Sequence, residues 1–161
     1  MKREIIFRGK RVDNGEWVYG CLVTGFDERK GRESVDITYQ QFEGASMDYP
    51  YPIVTTFYSE VIPETVGQYT GLTDMNGKMI FEGDVFFEEI EHSWGDDRYY
   101  FVITWISEWA MFSALSISEY NEYLDTGIEH LDRMISFNIE PDDIEKLHRA
   151  GNIHDNPELI K

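Results

Sequence analysis

The sequence predicts a mainly β protein, on the border of the α+β class, with one short helix near its C terminus. Three observations support this fold class. Runs of β-branched and aromatic residues recur between clusters of Gly, Asn and Asp. Residues 74–77 place Asn-Gly, the strongest short-range hairpin signal, between two such runs. Aromatic residues form 15% of the chain, which is enough to build a core although 28% of the residues are charged.

The charge balance restricts the partners that the protein can bind. The formal net charge is −17, from 31 acidic and 14 basic residues. Nucleic-acid affinity comes largely from Lys and Arg displacing counterions from phosphates, so we expect no nucleic-acid partner. A basic protein partner is electrostatically favoured, although an acidic surface also simply keeps a protein in solution.

Cysteine content and hydropathy indicate the compartment. Cys21 is the only cysteine, so no intramolecular disulfide can form. The apolar run at residues 5–7 is too short for a signal peptide, and no segment approaches the roughly 20 apolar residues that span a bilayer. We therefore expect a cytoplasmic protein with no membrane partner.

Residues 1–64 are predicted to form an N-terminal β region that begins with a β-hairpin. The Asp-Asn-Gly sequence at residues 13–15 supplies the turn of this hairpin. Residues 34–42 alternate apolar with polar side chains, as a half-buried strand does. The aromatic, proline-rich segment at residues 49–52 is either an exposed recognition lip or an ordinary packed loop. The predicted strands are residues 4–8, 17–23, 34–42 and 53–58, with a surface loop at 25–33.

Residues 65–139 are predicted to form a second β region. It starts with the central hairpin and continues in strand-like runs joined by short turns at residues 93–97 and 107–108. Residues 118–134 are ambiguous, because their apolar spacing is nearly helical but Gly127 interrupts it. A short helix on either side of Gly127 or an irregular insertion both fit. The further predicted strands are residues 85–90, 98–106, 109–117 and 135–139.

Residues 140–161 are predicted to form a helix and a tail packed on the body. The helix spans residues 142–150, with Pro141 and two acids at its start and basic residues near its end. Gly151 follows at the position where glycine commonly ends a helix. Pro157 marks a turn in the final extension.

Four segments carry a family resemblance. The central one reads GQYTGLTD from Gly67, followed by Asn76-Gly77-Lys78, Ile80 and Glu82-Gly83-Asp84-Val85. Similar segments lie at residues 7–20, 62–66 and 151–159. Together they resemble the signature of the YopX family of phage and prophage proteins, although residues 88–140 match only loosely. The resemblance implies a small, mostly β protein with an SH3-like β-barrel, and it implies no known activity.

The barrel follows from strand number and from this resemblance. The central hairpin and the three strand-like runs after it could close a five-stranded SH3-like barrel, in which no long strand edge stays exposed. Periodicity alone equally allows an open meander.

Two groupings of residues could suggest metal binding. His130 with Asp132 is the first, and His148 with His154 and Asp155 is the second. A zinc site usually needs three or four ligands at tight spacings, which neither grouping has. His148 is better explained as a cation at the end of the predicted helix, so we expect no metal and no cofactor.

An acidic hairpin, at residues 88–97, is the best candidate for acid–base catalysis. Paired carboxylates can catalyse hydrolysis when burial separates their pKa values. Neighbouring residues on a strand point to opposite faces, however, so solvated charge is the simpler explanation. The ionisable residues of the hairpin are Glu88, Glu89, Glu91, His92, Asp96 and Asp97.

Serines and glycines offer no further catalytic motif. Ser113, Ser116 and Ser118 lack a nucleophile elbow or a recognisable partner histidine. The glycines of the central hairpin are spread through strands and turns instead of opening a helix, so they do not form a nucleotide loop. These glycines are Gly67, Gly71, Gly77 and Gly83.

The resemblance implies a phage or prophage accessory protein, and the absence of a catalytic grouping in the sequence predicts that it is not an enzyme. The first hypothesis is a protein-binding module. Its partner is unknown, and a basic partner is electrostatically favoured. The second is a self-assembling structural protein, and thus a homo-oligomer. The third is an enzyme that uses the carboxylates of residues 88–97, and the fourth is an acidic decoy for a DNA-binding protein.

Overall fold

The computed structural model describes residues 4–43, 53–92, 95–130, 137–138 and 147–161. The chain divides into two compact units, Met1–Tyr69 and Thr70–Lys161. The strands are β1 Phe7–Lys10, β2 Trp17–Asp27, β3 Arg32–Glu43, β4 Ile53–Glu60, β5 Gly67–Thr73, β6 Met79–Phe81, β7 Asp84–His92, β8 Gly95–Ile106, β9 Met111–Ser116, β10 Phe137–Asn138 and β11 His148–Asn152. The α-helix is α1 Ile117–Thr126, and short 3-10 turns span Pro63–Thr65, Gly127–His130 and Pro157–Ile160. The predicted mainly β class is therefore confirmed.

The first unit is an antiparallel sheet built from long hairpins. Its strands lie in the order β4-β3-β2-β1-β5, and β5 continues into the second unit, where β6 follows it in the sheet order. Gly15, with φ of +73°, completes the predicted turn between β1 and β2. The predicted loop at residues 25–33 is shorter than expected, since β2 runs to Asp27 and β3 starts at Arg32.

Close packing in the first unit depends on one glycine of β2. A Cβ atom on Gly20 would lie 2.1 Å from the carbonyl oxygen of Thr38 on the neighbouring strand. Only glycine, which has no Cβ atom, leaves room for the backbone of β3 at this position. Among the described residues of this unit, Ile37 and Val61 are the fully buried apolar side chains.

The second unit holds a five-stranded antiparallel sheet in the order β10-β9-β8-β7-β11. Both of its faces carry buried apolar side chains, because successive residues of a strand point to opposite faces. One face packs Ile80, Phe86, Ile103 and Ala114. The other packs Val85, Val102, Ile106 and Leu115 together with Tyr120 of α1.

The structure resolves part of the ambiguity at residues 118–134. Ser116 begins α1 with a capping box, in which its hydroxyl accepts from the backbone N–H of Glu119 and the Glu119 side chain accepts from the N–H of Ser116. The helix ends at Gly127, whose φ is +71°. The short helix expected before Gly127 is thus present, and residues 131–134 lie outside the described residues.

The predicted C-terminal helix is wrong over its described part, residues 147–150. His148–Asn152 is strand β11, which pairs with β7 and carries a bulge between Arg149 and Gly151. The capping signals around residues 142–150 are local, whereas pairing with β7 satisfies a whole strand edge and buries the side chain of Arg149. Residues 142–146 lie outside the described residues.

Other boundaries also differ from the predictions. The first strand, predicted at residues 4–8, is Phe7–Lys10. Asp96 and Asp97, expected in a turn, belong to β8, and residues 93–94 lie outside the described residues. Ser107 begins a longer turn than expected, and β9 starts only at Met111. Among the described residues, no pairing joins β10 to β11, the two ends of the sheet. Closure into an SH3-like barrel stays a prediction.

Candidate functional site

Arg149 joins two buried carboxylates in the second unit. Its Nε donates to Oδ2 of Asp74 at 2.8 Å, and its Nη1 donates to Oδ2 of Asp84. Its Nη2 donates to the carbonyl oxygen of Met79 at 3.0 Å. The side chains of Asp74 and Asp84 are 3% and 1% exposed. The guanidinium also stacks over the ring of Phe86, 4.9 Å from its centroid.

The same carboxylates hold two tight turns. Oδ1 of Asp74 accepts from the backbone N–H groups of Asn76 and Lys78, each at 3.0 Å. Oδ2 of Asp84 accepts from the N–H of Phe81 at 2.9 Å. Burial raises the pKa of Asp74, but the hydrogen bonds from Arg149 and the two backbone N–H groups outweigh it and hold that pKa below its ordinary value.

This ionic cluster has the chemistry of a structural tie. Both carboxylates accept hydrogen bonds from the protein, and the three nitrogens of the guanidinium donate to oxygens of the protein itself. Sequence reasoning missed the cluster, because Asp74 and Arg149 are 75 residues apart and Arg149 falls in the segment predicted as a helix. Asp74 at the first position of the turn was the available signal.

The structure describes three carboxylate side chains of the acidic hairpin, those of Glu88, Glu89 and Asp97. Asp97 faces Ile90, on the same face of the hairpin as Glu88. Glu88 faces Tyr99 across β7 and β8, and Glu89 faces Arg98. As neighbours in one strand, Glu88 and Glu89 point to opposite faces. Glu89 forms an exposed ion pair with Arg98 at 2.8 Å. The side chains of Glu91, His92 and Asp96 lie outside the described residues.

The histidines lie in different surroundings. His148 is exposed on β11 and stacks on Phe87, with ring centroids 5.3 Å apart, so it is not the helix-end cation that we expected. His154 and Asp155 lie in the turn after β11, where their backbone N–H groups donate to Oδ1 of Asn152. The His130 side chain and Asp132 lie outside the described residues.

The serines and glycines serve the fold. Ser113 is fully buried on β9, Ser116 caps α1, and Ser118 is exposed on the helix. Gly77 and Gly83 adopt φ of +75° and +80° in the turns beside β6. These two glycines thus serve the shape of the backbone, as expected from their positions in turns. Among the described residues, no group of three or more His, Cys, Asp or Glu side chains could hold a metal ion.

An exposed apolar surface distinguishes the first unit. We call the exposed side chains of β2, β3 and β4 the meander surface. On one face these are Tyr19, Val23, Val54 and Tyr58, and on the other they are Phe26, Tyr39 and Phe57. Tyr58 is 69% exposed and Phe26 is 64% exposed. Such apolar patches on both faces of one sheet are typical of a surface that another molecule covers.

Two details give the meander surface its shape. Tyr39 and Phe57 stack across β3 and β4, with centroids 5.1 Å apart and ring planes 15° apart. An open depression of about 360 Å³ lies at the far end of the β2–β3 hairpin. Its lining residues are Thr24, Gly25, Phe26, Glu33, Ser34 and Val35. The segment at residues 49–52, for which a recognition lip and a packed loop were both open, lies outside the described residues.

Charges gather at one end of β4. The carboxylate of Glu60 accepts from Nη2 of Arg32 at 2.8 Å and from Nζ of Lys30. The preceding residues of β4, Ile53–Ser59, carry no ionisable side chain except Tyr58. The middle of β4 is therefore uncharged.

Comparison with known proteins adds a family and a fold. A family model described as YopX protein matches residues 6–161. The crystal structure of protein EF1440 from Enterococcus faecalis superposes with a TM-score of 0.58, at 22% sequence identity, covering 99% of this chain and 100% of that chain. No curated protein matches the chain. Within the described part of the chain, no helix is long and apolar enough to cross a membrane.

Proposed function

Because the chain belongs to the YopX protein family, we propose that it is a non-catalytic protein-binding module of a phage or prophage. It acts in the cytoplasm and binds its partner through the meander surface of the first unit. The observation that carries the proposal is the exposure of aromatic side chains on both faces of β2, β3 and β4. Tyr and Phe are enriched where proteins bind one another, since they bury a large area at low entropic cost.

The charge distribution supports a division of tasks between the units. Residues 1–69 contain 8 basic and 11 acidic residues, a formal charge of −3. Residues 70–161 contain 6 basic and 20 acidic residues, a formal charge of −14. The second unit supplies the field that keeps the protein in solution and attracts basic partners. The first unit can bury its apolar side chains without desolvating many charges.

Three described carboxylates, those of Glu89, Asp74 and Asp84, support a non-catalytic role. Glu89 is paired with Arg98 in solvent, and Asp74 and Asp84 are engaged by Arg149. A general acid or base needs a carboxyl group that can exchange its proton with a substrate. These three groups serve the sheet and its turns instead.

A capture experiment tests the proposal. The full chain, Tyr58→Ser and Leu124→Ser are immobilised, and proteins retained from a host lysate are quantified by mass spectrometry. Leu124 is the matched control, because it is 63% exposed and lies on α1, outside the meander surface. We expect Tyr58→Ser to lose at least one retained protein that Leu124→Ser keeps. A folded chain that retains nothing above background, its own copies included, contradicts the proposal.

A further inference from the structure

One edge of the first sheet is a candidate for pairing with another strand. In the order of the described strands, β4 is terminal, and β3 pairs with it on one side. At the end of β4, the carbonyl oxygen of Glu60 already accepts from the backbone N–H of Val12, so the unpaired part of the edge among the described residues is Ile53–Ser59. The eight residues of β4 pair with β3 without a break, from Ile53 opposite Glu43 to Glu60 opposite Asp36. In a strand of this kind, every second residue directs its N–H and C=O groups away from the partner strand. These groups form a ready template for another strand.

In its own sequence and register, β4 lacks the usual protection of an exposed edge. Native proteins protect such edges with lysines, prolines, inward charges or bulges. The residues Ile53–Ser59 contain none of these charges or prolines, and the register with β3 shows no bulge. Val54, Phe57 and Tyr58 instead present exposed apolar side chains at the edge. The edge is thus suited to stable pairing.

The distribution of charge allows a second copy of this chain as the occupant of this edge. Two molecules that each carry a net charge of −17 repel one another, so they can associate only where that charge is smallest. The first unit carries −3 of the total, from its 8 basic and 11 acidic residues, and β4 has its one acid at its end. That acid, Glu60, is already paired with Lys30 and Arg32.

We infer that two copies of the chain pair antiparallel through β4, about a two-fold axis at Thr56. This inference rests on the proposed function, since it names the partner of the same surface. A two-fold axis perpendicular to the sheet keeps each face continuous, so that only residues on the same face are opposed. In the register centred on Thr56, Val54 lies opposite Tyr58 of the second copy and Thr55 lies opposite Phe57.

This register matches the exposed side chains. Pairs of an aromatic and a β-branched residue stabilise neighbouring strands. The register also keeps the two Glu60 side chains eight residues apart along the strand direction, about 27 Å at 3.4 Å per residue. At that distance their repulsion is largely screened at physiological salt. The first sheets of the two copies then join into one continuous sheet, and their meander surfaces lie side by side.

Oligomeric state tests the inference. Sedimentation equilibrium of the full chain should give twice the 18.9 kDa of one chain. Thr56→Lys places two lysines against each other at the axis and should raise the dimer dissociation constant at least about tenfold. Gln40→Lys is the matched control, since Gln40 pairs with Thr56 inside the sheet and is also exposed. It should stay dimeric.

A disulfide reports the register directly. In a Cys21→Ser background, Thr56→Cys should form a cross-linked dimer on mild oxidation, because residues opposed across antiparallel strands have Cα atoms about 4.5–5.5 Å apart. Gln40→Cys in the same background should not cross-link, since its two copies would be roughly 14 Å apart at a strand spacing of about 4.8 Å. This pair of variants also decides the question if Thr56→Lys fails to fold.

Several results would overturn the inference. The first is a wild type that stays monomeric across the concentration series. The second is a dimer that the Thr56→Lys substitution leaves intact. The third is the absence of the Thr56→Cys cross-link. If the wild type is monomeric but captures a different protein through Tyr58, the second copy is wrong and the proposed function stands. If it is monomeric and captures nothing, both are wrong.

Discussion

Arg149 and Asp74 form a buried ion pair with 2.8 Å between Nε and Oδ2, although 75 residues separate them in the sequence. The pair connects strand β11 to the turn between β5 and β6. Because Arg149 also binds Asp84, one guanidinium is shared by two buried carboxylates. The second unit thus depends on a contact between its two ends.

Arg149→Met should destabilise the second unit strongly. The substitution keeps the length of the side chain but leaves Asp74 and Asp84 buried without their cation, which should cost about 3 kcal/mol in the free energy of unfolding. Urea denaturation followed by fluorescence measures this loss. Arg98→Met is the matched control, because it removes an exposed ion pair with Glu89. It should leave the midpoint nearly unchanged. Equal effects of the two substitutions would contradict the structural role of the cluster.

The protein should lose stability in acid through Asp74. Its pKa is lower in the folded protein than in the unfolded chain, so its contribution is complete at neutral pH. That contribution is lost as the pH falls below the ordinary aspartate value of about 4 and through the lowered pKa, because the unfolded chain then binds the proton more readily.

Asp74→Asn isolates this contribution. The variant should be less stable than the wild type at pH 7, and the difference in unfolding free energy should shrink as the pH falls from about 5 to about 3, through the range in which the unfolded aspartate takes up its proton. Denaturation curves at each pH measure it. A difference that stays constant over this range would show that ionisation of Asp74 contributes nothing.

Ser116→Ala should weaken the start of α1. The hydroxyl of Ser116 accepts the N–H of Glu119 and completes a capping box, so its removal should cost about 1 kcal/mol. Ser118→Ala is the control, since Ser118 is exposed inside the helix, where Ala is the better helix former. Thermal melts by circular dichroism should place Ser116→Ala below the wild type and Ser118→Ala at or above it.

Gly20→Ala should disrupt the packing of β2 on β3. Its Cβ would lie 2.1 Å from the carbonyl oxygen of Thr38, a backbone atom that cannot move aside alone. We expect a loss of about 2 kcal/mol or more in unfolding free energy. Gly25→Ala lies on the same strand with no atom within 4 Å of its Cβ and should be tolerated. A tolerated Gly20→Ala would contradict the close approach of the two strands.

Several parts of the fold follow from local sequence signals. The turns at Gly15 and Gly77 have positive φ, which Asn-Gly and related sequences favour without help from distant residues. The alternation of residues 34–42 predicts β3, because side chains of a strand point to its two faces in turn. The meander surface could not be predicted in this way, because the sequence does not show which apolar side chains another element of the fold covers.

The sequence by itself determined a mainly β chain with its central hairpin at residues 74–77, since backbone preferences of neighbouring residues suffice for strands and tight turns. Only the tertiary structure decided that His148–Asn152 is a strand, against helix signals on both sides of residues 142–150. Pairing with β7 and the burial of Arg149 between two distant carboxylates stabilise that strand by more than local capping stabilises a helix. Those contacts form only once residues 65 and 75 positions apart have met.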